Sequence, residues 1–240
     1  MSFHHLLKTS PIFALLDEDD LKQLESFFVP RRYTRGQVIF HMGDDGGSLY
    51  FIRKGRVKVT IPSPEGDEVI LVILSAGEIL GELSLIDGRP RSATVQAMEE
   101  TEALCLRRED FVGLMRSRFG VALRMLEVLS QRLRDTDVML AETHFLDINT
   151  RLAKKLLDLN KVFGVKEEGG VRIGVRITQK DLASMVGATR ESVNKQLRLL
   201  REQDIVNLSG GYIRIIDPMR LARRAHIEEW EIVHEGPRSS

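Results

Sequence analysis

The sequence predicts an α+β protein: an N-terminal antiparallel β jelly roll, a long helix, and a C-terminal winged helix-turn-helix. Three observations carry this reading. Between Tyr33 and Arg107, short apolar or alternating runs (QVIF, LYFI, VKVTI, VILVIL) are punctuated by Gly36, Gly43, Gly46, Gly47, Gly55, Gly66, Gly77 and Gly81. Many short strands with turn signals about every ten residues mark an antiparallel barrel or jelly roll. From about Glu109 the alternation gives way to apolar steps of three and four, the period of a helix. Finally, residues 178–216 hold two short helical patterns joined through a glycine and followed by a hairpin pattern.

Composition bounds what such a chain does. Its 240 residues suffice for two domains, and 42% hydrophobic with 29% charged residues suits a soluble protein that buries a core. One cysteine, Cys105, excludes an internal disulfide and supplies too few thiolates for an iron–sulfur cluster or a structural zinc site. The start MSFHHLLKTS lacks the apolar core of a secretory signal, and the run Val69–Ile73 is too short to span a membrane. A cytoplasmic protein is expected, with no membrane partner. The formal net charge of zero hides an asymmetry. Residues 147–225 hold 16 lysines and arginines against nine acids, so the rest of the chain carries the opposite imbalance. A basic C-terminal third on an acidic body suits a phosphate-binding module, although chance clustering explains the same numbers.

Residues 3–28 carry a helical pattern with Leu21, Leu24, Phe27 and Phe28 at core-facing spacing behind the acidic start Asp17–Asp20. The jelly roll follows, and residues 1–108 read as the first domain. The next helix, to about His144, would be some 50 Å long at about 1.5 Å per residue. Phe119, Ala122, Leu126, Leu129, Leu133, Thr136, Leu140 and Thr143 draw one stripe along it. A stripe of that length is either a parallel seam between two copies or packing on its own domain. Thr136 interrupts it, as a register-setting defect or as a group facing something polar. Residues 109–146 thus read as a dimerisation helix and hinge. Asp147 is a natural N-cap for INTRLAKKLLDLNKVF, and KEEGGVRIGVRI reads as a hairpin. The second domain runs over 147–225. Residues 226–240 form a tail whose end, EGPRSS, reads as disordered.

Within TQKDLASMVGATRESVNKQLRLLRE, Thr178 caps a short helix, Gly187 provides the turn, and Thr189 caps a second helix with Glu191 and Ser192 in its first turn. Val193, Leu197 and Leu200 face inward, whereas Arg190, Glu191, Asn194, Lys195 and Arg198 face out. IVNLSGGYIRIID is the wing. This layout presents long polar side chains to a DNA major groove. Arginine forks onto guanine and glutamate accepts from cytosine, while Lys195 suits either a base or a backbone phosphate.

The stretch GELSLIDGRPRSATV (residues 81–95) has the makings of an anion site. Gly81 permits close approach, Arg91 forks two oxygens, Ser92 adds a donor, and Glu82 accepts from a hydroxyl. A surface salt bridge between Glu82 and Arg91 is the alternative on spacing alone. Either way Arg91 is expected at the rim of a pocket, so that Arg91→Ala would leave the fold intact.

Two segments resemble one family. FLD, a helix and TQKDLASMVGATRESVNK look like the C-terminal domain of cyclic-AMP receptor protein/FNR regulators, in which Arg190, Glu191 and Lys195 match the base-contacting positions. Lys195 stands where the receptor protein has arginine. GELSLIDGRPRSA looks like the phosphate-binding cassette of cyclic-nucleotide-binding domains, matched at Gly81, Glu82, Leu83, Arg91, Ser92 and Ala93. The resemblance implies Glu82 on a ribose 2′-hydroxyl and Arg91 with Ser92 on a cyclic phosphate. Val59, Leu71 and Leu74 would form an apolar wall against the purine, or simply barrel core. The family's Thr-Ser pair that meets the adenine aligns with Thr136-Asp137, and Asp137 departs from it. The resemblance spans roughly residues 10–225.

It implies a homodimeric, non-enzymatic transcription regulator that binds double-stranded DNA at a palindromic operator, with cyclic AMP as allosteric ligand and RNA polymerase as partner. Cyclic di-GMP, or no ligand, is the alternative on the sensing side. No metal and no iron–sulfur cluster is expected, and no nucleophile–base constellation, Walker loop or dinucleotide fingerprint is present.

Overall fold

The computed structural model describes residues 2–64 and 66–226; the expected tail end EGPRSS lies outside the described residues. The chain forms two compact units that part between Thr136 and Asp137.

In the first unit, α1 (Phe3–Thr9) starts at Ser2 and α2 (Glu18–Phe27) at Asp17, whose carboxylate accepts from the Asp20 N–H. Glu18, Asp19 and Asp20 then complement the positive end of the α2 dipole. The strands follow as β1 (Val29–Tyr33), β2 (Val38–Phe40), β3 (Ser48–Lys54), β4 (Arg56–Pro62), β5 (Glu68–Ser75) and β6 (Ile79–Leu80). After the short α3 (Glu82–Asp87) come β7 (Thr94–Ala97) and β8 (Thr101–Arg107). They build two antiparallel sheets, ordered β1-β8-β3-β6 and β2-β7-β4-β5. Between β3 and β4, Gly55 holds φ +89°, and a Cβ there would stand 2.5 Å from the Glu100 carbonyl oxygen.

Phe40, Ile52, Val57, Leu74, Leu80 and Val95 form one apolar cluster, against which Val59 and Tyr50 pack. Leu71 does not belong to it. Val59 faces Val72 and Thr60 faces Ile70, so Leu71 is the extra residue of a bulge and is half-buried. A larger cluster joins α1 and α2 to β3 and β8 through Leu7, Leu21, Leu24, Phe28, Phe51 and Leu104. The α2 stripe continues into Phe28, and Phe27 is exposed, contrary to its expected core position.

The expected unbroken helix is two: α4 (Arg108–Ser117) and α5 (Phe119–Phe145). The break falls at Arg118 (φ −129°, ψ 88°), whose Nη2 donates to Asp20 Oδ1 at 2.7 Å. Asp20 is buried and needs a cation, and the backbone leaves helical geometry where Arg118 supplies it. The 27 residues of α5 span about 40 Å. Val121 and Met125 anchor it in the core, whereas Leu126, Leu133 and Leu140 are each some 60% exposed and Phe119 more so.

The second unit holds α6 (Ile148–Phe163), β9 (Gly164–Glu167), β10 (Gly170–Ile173), α7 (Gln179–Val186), α8 (Arg190–Glu202), β11 (Val206–Ser209), β12 (Tyr212–Ile215) and α9 (Pro218–Arg224). Its antiparallel sheet runs β11-β12-β10-β9. Asp147 caps α6, accepting from the Thr150 N–H at 2.8 Å, and Leu152, Leu156, Leu157 and Leu159 form the buried face. Asp217 and Pro218 start α9, a helix absent from the sequence reading although its cap-and-proline signal was there. Among the described residues no helix is long and apolar enough to cross a membrane.

Thr178 and Asp181 make a reciprocal capping box at α7. Thr178→Ala is expected to destabilise the second unit by about 1 kcal/mol, seen as a lower urea midpoint at unchanged slope.

Candidate functional site

In the first unit the cassette is assembled around Arg91. Gly81, left-handed at φ +81°, turns the chain from β6 into α3, and a Cβ there would collide with Arg91 Nη1 at 2.3 Å. The Arg91 backbone is pinned by two bonds of 2.8 Å, its N–H donating to the Asp44 carbonyl and its carbonyl accepting from the Gly43 N–H. Its side chain is only 4% exposed, so the expected rim position is corrected. Nη1 donates to the Gly81 carbonyl (2.8 Å) and to Ser84 Oγ (3.1 Å), and Nη2 donates to the Ser48 carbonyl (2.7 Å). The guanidinium carbon lies 4.2 Å from the Phe40 ring centroid and 5.8 Å from that of Tyr50. Nε is buried without a partner among the described residues. Burial pulls the pKa of Arg91 down, and neighbouring Tyr50, Cys105, Glu82 and Asp44 work against that.

Glu82 makes no salt bridge to Arg91. It is buried and binds Arg132 of α5, whose Nη1 donates to Oε1 at 2.5 Å while Nη2 donates to the Ile79 carbonyl at 2.7 Å. Arg132 was missed in the sequence; it precedes Thr136 by one helical turn, and the Thr136 hydroxyl donates to the Arg132 carbonyl at 2.8 Å. Ser92 is exposed with no hydrogen bond among the described residues, and Ala93 is buried. Leu83, Thr136 and Asp137 are exposed. The arrangement offers an unpaired guanidinium N–H and a free hydroxyl beside a turn of backbone, a chemistry suited to oxyanions.

In the second unit, Gly187 is left-handed at φ +62° and closes the turn between α7 and α8. Thr178 and Thr189 spend their hydroxyls on capping, and Ser192 hydrogen-bonds Thr189 at 2.9 Å. Val193, Leu197 and Leu200 are buried; Arg190, Glu191 and Lys195 are exposed and form no ion pair with any described residue. Arg198 leans on Glu202 at 3.5 Å. Asn194, expected to face out, is half-buried with Oδ1 lacking a partner. It lies one residue from Val193, at the margin of the buried face.

Residues 30–118 match the cyclic nucleotide-binding domain family and residues 150–224 the Crp-like helix-turn-helix domain family. A CRP-like cAMP-activated global transcriptional regulator of Mycobacterium tuberculosis is 34% identical over 220 residues, covering 92% of this chain and 98% of the relative. The chain belongs to the CRP/FNR family of transcription regulators. As a family member it is a DNA-binding regulator with a cyclic-nucleotide-binding domain, not an enzyme. The cyclic AMP receptor protein of Thermus thermophilus is also 34% identical, over 87% of this chain and 94% of its own length. Among solved structures, the c-di-GMP responsive global regulator CLP of Xanthomonas campestris superposes with TM-score 0.73 at 26% identity, over 83% of this chain and 99% of that one.

Because Arg91 is an interior residue of this regulator, Arg91→Ala is expected to lower ligand-free stability by roughly 1–3 kcal/mol, the cost of stranding buried carbonyls. Urea unfolding of the ligand-free chain checks this, with Arg91→Lys intermediate.

Proposed function

We propose that the protein is a homodimeric regulator in which cyclic AMP, held by the cassette, controls operator reading by α8. The observation that carries this reading is the buried Arg91 guanidinium with its free Nε beside the Gly81 turn. Arg91 and Ser92 take the cyclic phosphate, Glu82 accepts from the ribose 2′-hydroxyl, and Gly81, Leu83 and Ala93 shape the cassette around them. Val59 and Leu74 face the purine from the barrel wall; Leu71 borders it from the bulge. Thr136 meets the base from α5, and Arg132 joins the set through Glu82.

Arg190 reads guanine, Glu191 reads cytosine, and Lys195 reads the neighbouring base, while Thr178, Thr189 and Ser192 hold the helix termini against the backbone. The exposed stripe Phe119, Leu126, Leu133, Leu140 seats a second copy. Two-fold symmetry then calls for a palindromic operator with half-sites about one helical turn apart. The protein works in the cytoplasm, and RNA polymerase is its partner at the promoter. Nucleotide shifts the dimer only insofar as it prefers the DNA-competent state, and a shift from 1:99 to 99:1 needs a preference of about 10⁴.

A second reading keeps the DNA role and makes cyclic di-GMP the effector. It is favoured by Asp137, a carboxylate where the family's pair has serine, and by the likeness to CLP.

Calorimetric titration of the purified protein decides between them. Saturable heat with cyclic AMP, lost in Arg91→Lys, is expected; heat with cyclic di-GMP alone replaces the effector, and heat with neither removes ligand control. Lys195→Ala is expected to cost roughly 1–3 kcal/mol on the preferred operator and to relax a single base position; equal loss on all sequences would make Lys195 a phosphate contact. Leu133→Glu is expected to yield monomers in sedimentation, by placing a charge in the seam.

A further inference from the structure

The second unit carries a concentration of positive charge away from the reading end of α8. Arg220, Arg223 and Arg224 stand at i, i+3 and i+4 on α9 and therefore share one face. Together with Gln203 and Ile205 they line a shallow, solvent-open depression of about 280 Å³. Gln203 tethers two of the guanidiniums at its lining: Arg220 Nη1 donates to the Gln203 carbonyl at 2.9 Å, and Arg224 Nη2 donates to Gln203 Oε1 at 2.6 Å. Neither Arg220 nor Arg224 pairs with a carboxylate among the described residues. Asp217 accepts from the Arg220 backbone N–H at 2.9 Å as the α9 cap, and Glu202 pairs with Arg198.

Helix capping accounts for part of this. The C-terminus of α8 carries about half a negative charge, which one arginine satisfies. Two guanidiniums exceed it about fourfold, and each keeps N–H donors beyond the one spent on Gln203. Like charges gathered in a concave site raise the local concentration of anions, and guanidinium forks match phosphate oxygens.

We propose that this depression is a second anion site, which takes the phosphate group of a small phosphate-bearing molecule. Its volume sits near the lower end of small-molecule pockets, about 300 Å³. Operator DNA is not the source. The 13 residues of α8 put Gln203 about 20 Å from the end that enters the groove, a step that rests on the reading of α8 proposed above.

The test is calorimetric titration of the full chain with pyrophosphate at constant ionic strength. The wild type is compared with Arg220→Gln/Arg224→Gln and with Arg220→Lys/Arg224→Lys. Since all three chains keep Arg91, the difference between them reports this depression alone. Affinity for one pyrophosphate per chain is expected to fall roughly tenfold or more with glutamine and less with lysine. Circular dichroism shows whether each variant is folded, and the lysine pair, which keeps the charge, decides the matter should the glutamine pair unfold. Equal affinity across the three chains, or no binding by the wild type, overturns the proposal. So does a glutamine pair that binds pyrophosphate normally but loses operator affinity, since the depression would then serve the DNA backbone. A failed operator reading by α8 would leave the pyrophosphate result untouched, so the two readings fail separately.

Discussion

A guanidinium keeps its charge inside a protein, so burying one obliges the surroundings to replace the water it loses. Around Arg91 that replacement is made by the Gly81 and Ser48 carbonyls, the Ser84 hydroxyl and the Phe40 ring. Each of these demands close approach. Gly81 must be left-handed and lack a Cβ, and at Gly46 a Cβ would stand 2.1 Å from that of Ser84. The cassette is therefore less a loop decorated with ligand-binding groups than a shell built to hold one cation in place. The shell leaves Nε unspent, which is the arrangement an oxyanion completes.

The same logic links the cassette to α5. Glu82 is buried one residue after Gly81, and the positive charge nearest to it in hydrogen bonding is Arg132 rather than Arg91. The two cations thus divide the work: Arg91 holds the cassette together from within, and Arg132 neutralises the carboxylate and ties α3 to the long helix. A ribose hydroxyl arriving at Glu82 would share an oxygen pair that already holds α5. Since α5 also bears the exposed Leu126 and Leu133, any change at Glu82 is felt on the helix that carries them. This coupling needs differential affinity for two arrangements, not merely tight binding.

What could be read from the sequence was what local chemistry determines. Asp147, Thr178 and Thr189 were legible as caps because a cap satisfies backbone N–H groups three residues away, and Gly187 because only a left-handed residue closes that turn. The strand runs were legible from their glycines. Several misses share a long sequence separation. Arg118 breaks the helix because of Asp20, 98 residues earlier. Arg132 meets Glu82 across 50 residues. Arg91 is interior because the Ser48 carbonyl, on a strand 43 residues away, accepts a hydrogen bond from it. The bulge at Leu71 was not legible either, because it displaces one residue without changing the pattern around it.

Charge placement adds a constraint that neutrality conceals. With 16 cations against nine acids, the segment 147–225 attracts phosphate, while the acidic remainder of the chain repels it. Contact with DNA is thereby confined to one part of the chain, and affinity should decline steeply with salt in proportion to the phosphates met. Within that basic field, specificity depends on few groups. Among the described residues Arg190 and Glu191 stand free of ion pairs, so in the proposed reading neither must break one before meeting a base, whereas Arg198 is engaged by Glu202. Lys195 is free as well, but a single ammonium lacks the two-pronged geometry that distinguishes guanine. The field therefore supplies affinity broadly, and under the proposed reading discrimination falls to the N-terminal turn of α8, where a cap, a fork and a carboxylate follow one another in sequence.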